Sequence, residues 1–195
     1  PIHAGPVNHR VTIWTVRDFI QDYLAYDVND PLTVADWLTF PEQKLRTLAE
    51  GPIFYDGIGL EEVRGRFTYY PHDGWRYQLA SGWTSISQEE HLMGRAGLAG
   101  DELGSALIGA RLVRDVMRLW FLMHRDYAPY PKWFGTAFRH LACGPALLPV
   151  LEEALHARTW QAREAHLVTA YEALARLHNA LGLPLIHISE PTRPN

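Results

Sequence analysis

The chain has 195 residues, enough for one domain with its own hydrophobic core. With 47% hydrophobic and 21% charged residues it reads as globular rather than disordered. A formal charge of −4 makes no case for a surface built overall to bind nucleic acid or anionic membrane. The single cysteine, Cys143, excludes an intramolecular disulfide and suits a reducing, cytoplasmic setting. No apolar run nears the ~20 residues of a membrane-spanning helix.

The first residues have neither the basic start nor the apolar stretch of a signal peptide, and no initiator methionine. The chain is therefore expected to begin within a longer gene product. Residues 11–16, VTIWTV, alternate β-branched and aromatic side chains and predict a short strand. Helical spacing follows almost everywhere. A first helix is expected over 17–26, with Phe19, Ile20 and Tyr23 on one side. Thr33 is placed to cap a short helix reaching Phe40, and Pro41 to open another over 42–50, closed by Gly51-Pro52. A turn at Tyr55-Asp56-Gly57 leads into a segment over 60–70 that Pro71 ends.

Over 72–94, Trp75, Leu79, Gly82, Ile86 and Met93 share one face at helical spacing. Gly97 and Gly100 mark a turn, and Asp101 begins a long helix to about Tyr127. The proline-rich YAPYP predicts a stiff connector; helices are expected over 132–141 and 146–156. Thr159 caps a last helix over 160–181, which Gly182 stops. Residues 185–193, LIHISEPTR, resemble the in-frame translation of a sequencing-library adapter, the alternative being a natural polar tail. On the adapter reading 184–195 is an artefact, His187 and Glu190 carry no biological meaning, and natural sequence continues past about Leu183.

The long helix carries the most informative pattern. Arg111, Arg114, Arg118 and Arg125 fall within a sector of about 60° on a helix that is otherwise largely apolar, hence central. Buried guanidiniums need partners. Either they pair with carboxylates such as Asp73, Glu89, Glu90, Asp101 and Asp115, or some face a cleft and grip phosphate oxygens bidentately. Arg111 and Arg118, nearest the middle, are the candidates for an anion contact.

A second candidate is YYPHDGWRY, residues 69–77, where a proline precedes a helix start and gathers Asp73, Arg76 and Tyr77. The alternative there is capping by Asp73 with the aromatics in the core. YAPYPKW, residues 127–133, either presents Lys132 and two tyrosines to a ligand or plugs the bundle with its rings. Other motifs fail. GLAGDELG is followed by no Gly-Lys-Ser/Thr, His140 and Cys143 are too few for zinc, and no Gly-x-Ser-x-Gly occurs. Cys143 reads as a small buried side chain.

The ordered strings PEQKLRTL, YYPHDGWRYQLASGW, ISQEEHLMGRAG, GDELGSALIGARLVRDVMRLWFLM, YAPYPKWFGTAF and AYEALARLHNALG resemble a bacterial family known as domain of unknown function 4037, over about 9–182. Members look like polymerase-β-type nucleotidyltransferases in their N-terminal part, joined to a helical C-terminal part.

The resemblance implies an all-α, multi-helix bundle over 17–183, with residues 1–16 as the end of a preceding α/β palm that leaves one short strand. A palm of that type needs a Gly-Ser turn and an Asp-x-Asp pair to hold triphosphate and metal. Neither stands here, so no catalytic or metal-binding residue is assigned and the fragment carries no cofactor of its own. Mg2+ and a nucleoside triphosphate are expected only of the full-length protein. The helical part is expected to be a substrate-recognition and scaffold region, with Asp73, Arg76, Tyr77, Arg111, Arg118 and Lys132 contacting nucleotide phosphates or an unknown acceptor. The alternative is a non-catalytic helical module that binds a protein partner or small ligand.

Overall fold

A computed structural model describes residues 11–142 and 144–183, and all regular structure among them is helical. In chain order these are α1 (Val16–Leu24), α2 (Val34–Thr39), α3 (Glu42–Glu50), α4 (Leu60–Gly65), α5 (His72–Leu98), α6 (Glu102–Met123), a 3-10 turn (Pro131–Trp133), α7 (Phe134–His140), α8 (Gly144–His156) and α9 (Trp160–Ala180). The all-α reading holds. Cys143 and the tail read as adapter sequence lie outside the described residues. No helix among the described residues is long and apolar enough to cross a membrane.

The strand expected over 11–16 is corrected. Residues 11–15 belong to no element, and Val16 opens α1. Thr15 has extended backbone angles, but its side chain accepts the Asp18 N–H at 3.1 Å, as a helix cap does. Residues 11–15 join no sheet, whereas the cap satisfies a donor the helix start leaves free. The other starts follow the same logic. Thr33 and Asp36 form a reciprocal capping box on α2, and Thr159 accepts from the Ala162 N–H on α9. The segment expected to be helical over 60–70 stops at Gly65, because Phe67 and Tyr70 turn inward. They join Tyr26, Trp37 and Phe40 in an aromatic cluster.

α5 and α6 form a tight antiparallel hairpin. Gly100 takes a left-handed φ of 84°, which lets Gly100 N–H donate to Gly97 and Asp101 N–H to Ala96. Asp101 then caps α6 by accepting the Gly104 N–H at 2.7 Å. At the far end Arg125 closes α6 in the same way, at φ 53°, with Asp126 N–H donating to Phe121 and Arg125 N–H to Leu122. α6 therefore ends at Met123, short of Tyr127.

α6 is the axis of the core, with Leu112, Val116, Leu119 and Phe121 wholly buried and α5, α8 and α9 packed around it. α9 crosses close to α5 where Gly97 leaves room: a Cβ there would lie 2.2 Å from the Trp160 ring.

Candidate ligand-binding cleft

Antiparallel register aligns the inner edge of α5 with α6. Trp75 Nε1 donates to the Leu122 carbonyl at 2.6 Å, Ser85 Oγ to Asp115 Oδ2 at 2.9 Å, and Arg111 Nε to Glu89 Oε2 at 2.9 Å. Between the first and second of these ties a cleft of ≈ 230 Å³ runs along the seam of the two helices. Its α5 wall is Gln78, Ser81, Gly82 and Ser85; its α6 wall includes Arg114, Asp115 and Arg118 over Leu119 and Leu122. Glycine at position 82 brings the α5 backbone against the Leu119 side chain, since a Cβ would sit 2.6 Å from Leu119 Cδ2.

The arginine stripe resolves into separate settings. Arg111 pairs with Glu89, Arg118 with Glu42 at 3.3 Å, and Arg114 stands 3.7 Å from Asp115. All three side chains remain more than half exposed, so the ion pairs leave guanidinium donors open to a ligand. Arg125 has left the helix with its left-handed turn and lies over the Trp75 ring, 4.2 Å from its centroid. Pairing with carboxylates is thus found for Arg111, Arg114 and Arg118, and Arg114 and Arg118 also line the cleft. Of the expected carboxylates, Glu89 and Asp115 serve as partners, while Asp101 caps α6 and Asp73 stands exposed beside His72.

Glu42 was not among the expected partners. Its side chain is 16% exposed, and its carboxylate accepts the Ala128 N–H at 3.0 Å as well as Arg118. Burial outweighs those two contacts and raises its pKa above the usual glutamate value. Arg46 ties the same region together, pairing with Asp126 at 2.9 Å and Glu50 at 3.0 Å. In the sequence Glu42 shows only as the first helical residue after Pro41; its partner lies 76 positions on.

Of the six residues expected at a site, Arg118 alone lines the cleft. Arg111 lies on the same strip, one turn before Arg114 and Asp115. Tyr77, 60% exposed, precedes Ser81 by one turn on α5 and sits beside the rim. Asp73 and Arg76 are on the first turns of α5 outside the lining, and Asp73 does not cap the helix. Lys132 lies apart, 5.0 Å from the centroid of the Trp133 ring. The loop around it is divided: Tyr127 is buried and donates to the Phe67 carbonyl, while Tyr130 and Trp133 stay exposed. Sequence reasoning missed Arg114 as a lining residue, along with Gln78, Ser81 and Ser85; a shared helical face for 78, 81 and 85 was the available signal.

A family model described as Domain of unknown function (DUF4037) matches residues 37–134, half of the chain, from α2 through the whole α5–α6 hairpin and its cleft. The chain belongs to the DUF4037 family. No curated protein and no solved structure matches it. The cleft of this DUF4037 domain thus lies wholly within the family-defining segment. Among the described residues no group of three or more His, Cys, Asp or Glu is placed to hold a metal ion.

Proposed function

We propose that this DUF4037 domain is the ligand-recognition and scaffold region of a nucleotidyltransferase-like protein, and that the α5–α6 cleft receives a phosphate group of its ligand. One observation carries the reading: Arg114 and Arg118, both more than half exposed, flank a recess whose opposite wall is Gln78, Ser81 and Ser85. Guanidinium forks opposite neutral amide and hydroxyl groups suit phosphate oxygens. At ≈ 230 Å³ the recess is smaller than the roughly 300–1,000 Å³ of drug-sized ligand sites, so it takes a phosphate and its nearest atoms rather than a whole nucleotide. The described residues do not fit a two-metal phosphoryl-transfer centre, and no chemical step is assigned to them. Mg2+ and a nucleoside triphosphate belong, on this reading, to another part of the protein.

Calorimetric titration with tripolyphosphate tests it. Arg118→Ala should weaken binding by about 1.5–3 kcal/mol, the range of a charged hydrogen bond, with the thermal melt lowered only by loss of the pair with half-buried Glu42. Unaltered affinity in Arg118→Ala and Arg114→Ala would remove the cleft from the binding reaction.

A second reading, docking of a protein partner, is favoured by the loop between α3 and α4. Phe54, Tyr55 and Ile58 are 96%, 89% and 71% exposed, yet Asp56 accepts the N–H groups of Ile58, Gly59, Leu60 and Glu61. That network holds the loop in shape while its apolar side chains face outward. Photocrosslinking from position 54, followed by reconstitution with the identified protein, distinguishes this reading from the first.

A further inference from the structure

The charges around the cleft say more about its ligand than that it is anionic. This inference rests on the phosphate reading above. Three charged side chains line the cleft, Arg114, Arg118 and Asp115, and Glu42 pairs with Arg118 from outside the lining, so each cleft arginine already faces a carboxylate. The two carboxylates differ in what supports them. Glu42 accepts the Ala128 N–H and keeps that contact when Arg118 turns to a ligand. Asp115 is 12% exposed, accepts Ser85 Oγ at 2.9 Å, and among the described residues has Arg114 as its one ion-pair partner, at 3.7 Å.

A phosphate held on the open donors of Arg114 and Arg118 stands as a dianion beside Asp115, which has one hydroxyl donor and then shares Arg114 with it. Weakening the compensation of a half-buried carboxylate carries a cost, and the like-charge contact adds to it. A bare phosphate therefore loses against Asp115 part of what it gains from the arginines. A ligand that brings its own cation removes that cost, because an ammonium supplies three donors and a compensating charge. Gln78 and Ser81 on the opposite wall add neutral acceptors.

We propose that the cleft recognises a phosphate monoester bearing an ammonium group a few bonds from phosphorus, with the phosphate on Arg114 and Arg118 and the ammonium against Asp115 and Ser85. The small volume favours a compact headgroup of this kind, with the rest of any larger ligand outside.

Three probes built on the same two-carbon ester test the assignment by calorimetry: O-phosphoethanolamine, 2-hydroxyethyl phosphate and ethyl phosphate. The expected result is at least tenfold tighter binding of O-phosphoethanolamine than of either other probe. Asp115→Asn should abolish that preference while leaving ethyl phosphate binding equal or tighter, and Asp115→Glu should retain it. Equal binding of the three probes by the unaltered chain overturns the proposal and needs no variant to fold. So does parity between the hydroxyl and ammonium probes, or a preference that survives Asp115→Asn. If ethyl phosphate binding depends on Arg118 but no ammonium preference exists, this inference alone fails. If no probe binds, or binding ignores both arginines, the phosphate reading of the cleft fails with it.

Discussion

Arg163 offers the sharpest test of how the bundle is held together. It lies on α9 and is 3% exposed, although it carries a guanidinium. It donates to Ser105 Oγ at 2.7 Å and to the Ala157 carbonyl at 2.8 Å, and approaches Glu102 Oε2 to 3.6 Å. Its stem lies over Gly109 so closely that a Cβ there would come within 2.3 Å of Arg163 Cδ. Arg163→Ala removes two charge-assisted hydrogen bonds, each worth about 1.5–3 kcal/mol, and two buried methylenes at ~0.8 kcal/mol each. Glu102 is 42% exposed and rehydrates, and water entering the space serves Ser105, which offsets part of the loss. The net expectation is a destabilisation of about 3–4 kcal/mol, or a fall in Tm of about 6–16 °C for a domain of this size. Arg163→Met keeps the stem on Gly109 and should cost about 2 kcal/mol. Thermal and urea unfolding followed by circular dichroism measure both. A shift under about 2 °C for Arg163→Ala, or a methionine variant as stable as the parent, would refute the argument that the buried guanidinium clamps α9 to α6.

Two neighbouring glycines should respond oppositely to alanine. Gly94→Ala gains helix propensity with ordinary contacts to Glu164 and Trp160 at 3.6 and 3.8 Å, and should be neutral or up to ~1 kcal/mol stabilising; Gly97→Ala meets Trp160 and should lose about 1–2 kcal/mol in urea melts. Trp83 Nε1 donates to His178 Nδ1 at 3.2 Å, and burial lowers the His178 pKa from the usual 6.5. Its contribution is therefore complete above 6.5 and lost as pH falls through the lowered folded value, so His178→Asn should flatten the acid side of a Tm–pH profile. The backbone donors around Asp56 hold its pKa below the ordinary 3.8, so the loop it braces should persist above that value and loosen as pH falls through the lowered one. Asp56→Ala should speed amide exchange at 58–61 without altering the melt of the bundle; slow exchange at those amides in the variant would show that the carboxylate is not what orders the loop.

Much of the fold is legible in the order of residues, and the exceptions share a cause. Thr33, Asp101, Thr159 and Gly182 mark helix ends through local rules, and each stands at the boundary it announced. Residues 11–16 misled because alternating β-branched side chains describe a preference for extended backbone but say nothing about a neighbouring strand. The stripe of arginines was legible as a shared face, but Arg125 left it at a left-handed turn held by hydrogen bonds to Phe121 and Leu122. Glu42 was illegible as a partner for Arg118, since nothing local links residues 76 positions apart.

By itself the sequence determined that this chain folds into helices, where most of them start and stop, and which faces turn inward, because capping and periodicity act within a few residues. Only the tertiary structure decided that a cleft lies along the α5–α6 seam, that Arg114 and Arg118 reach it while Lys132 does not, and that Asp115 stands there with one hydroxyl donor. Those outcomes depend on the register between two helices and on side chains such as Glu42 and Leu119 arriving from afar, and register is set by packing rather than by local preference.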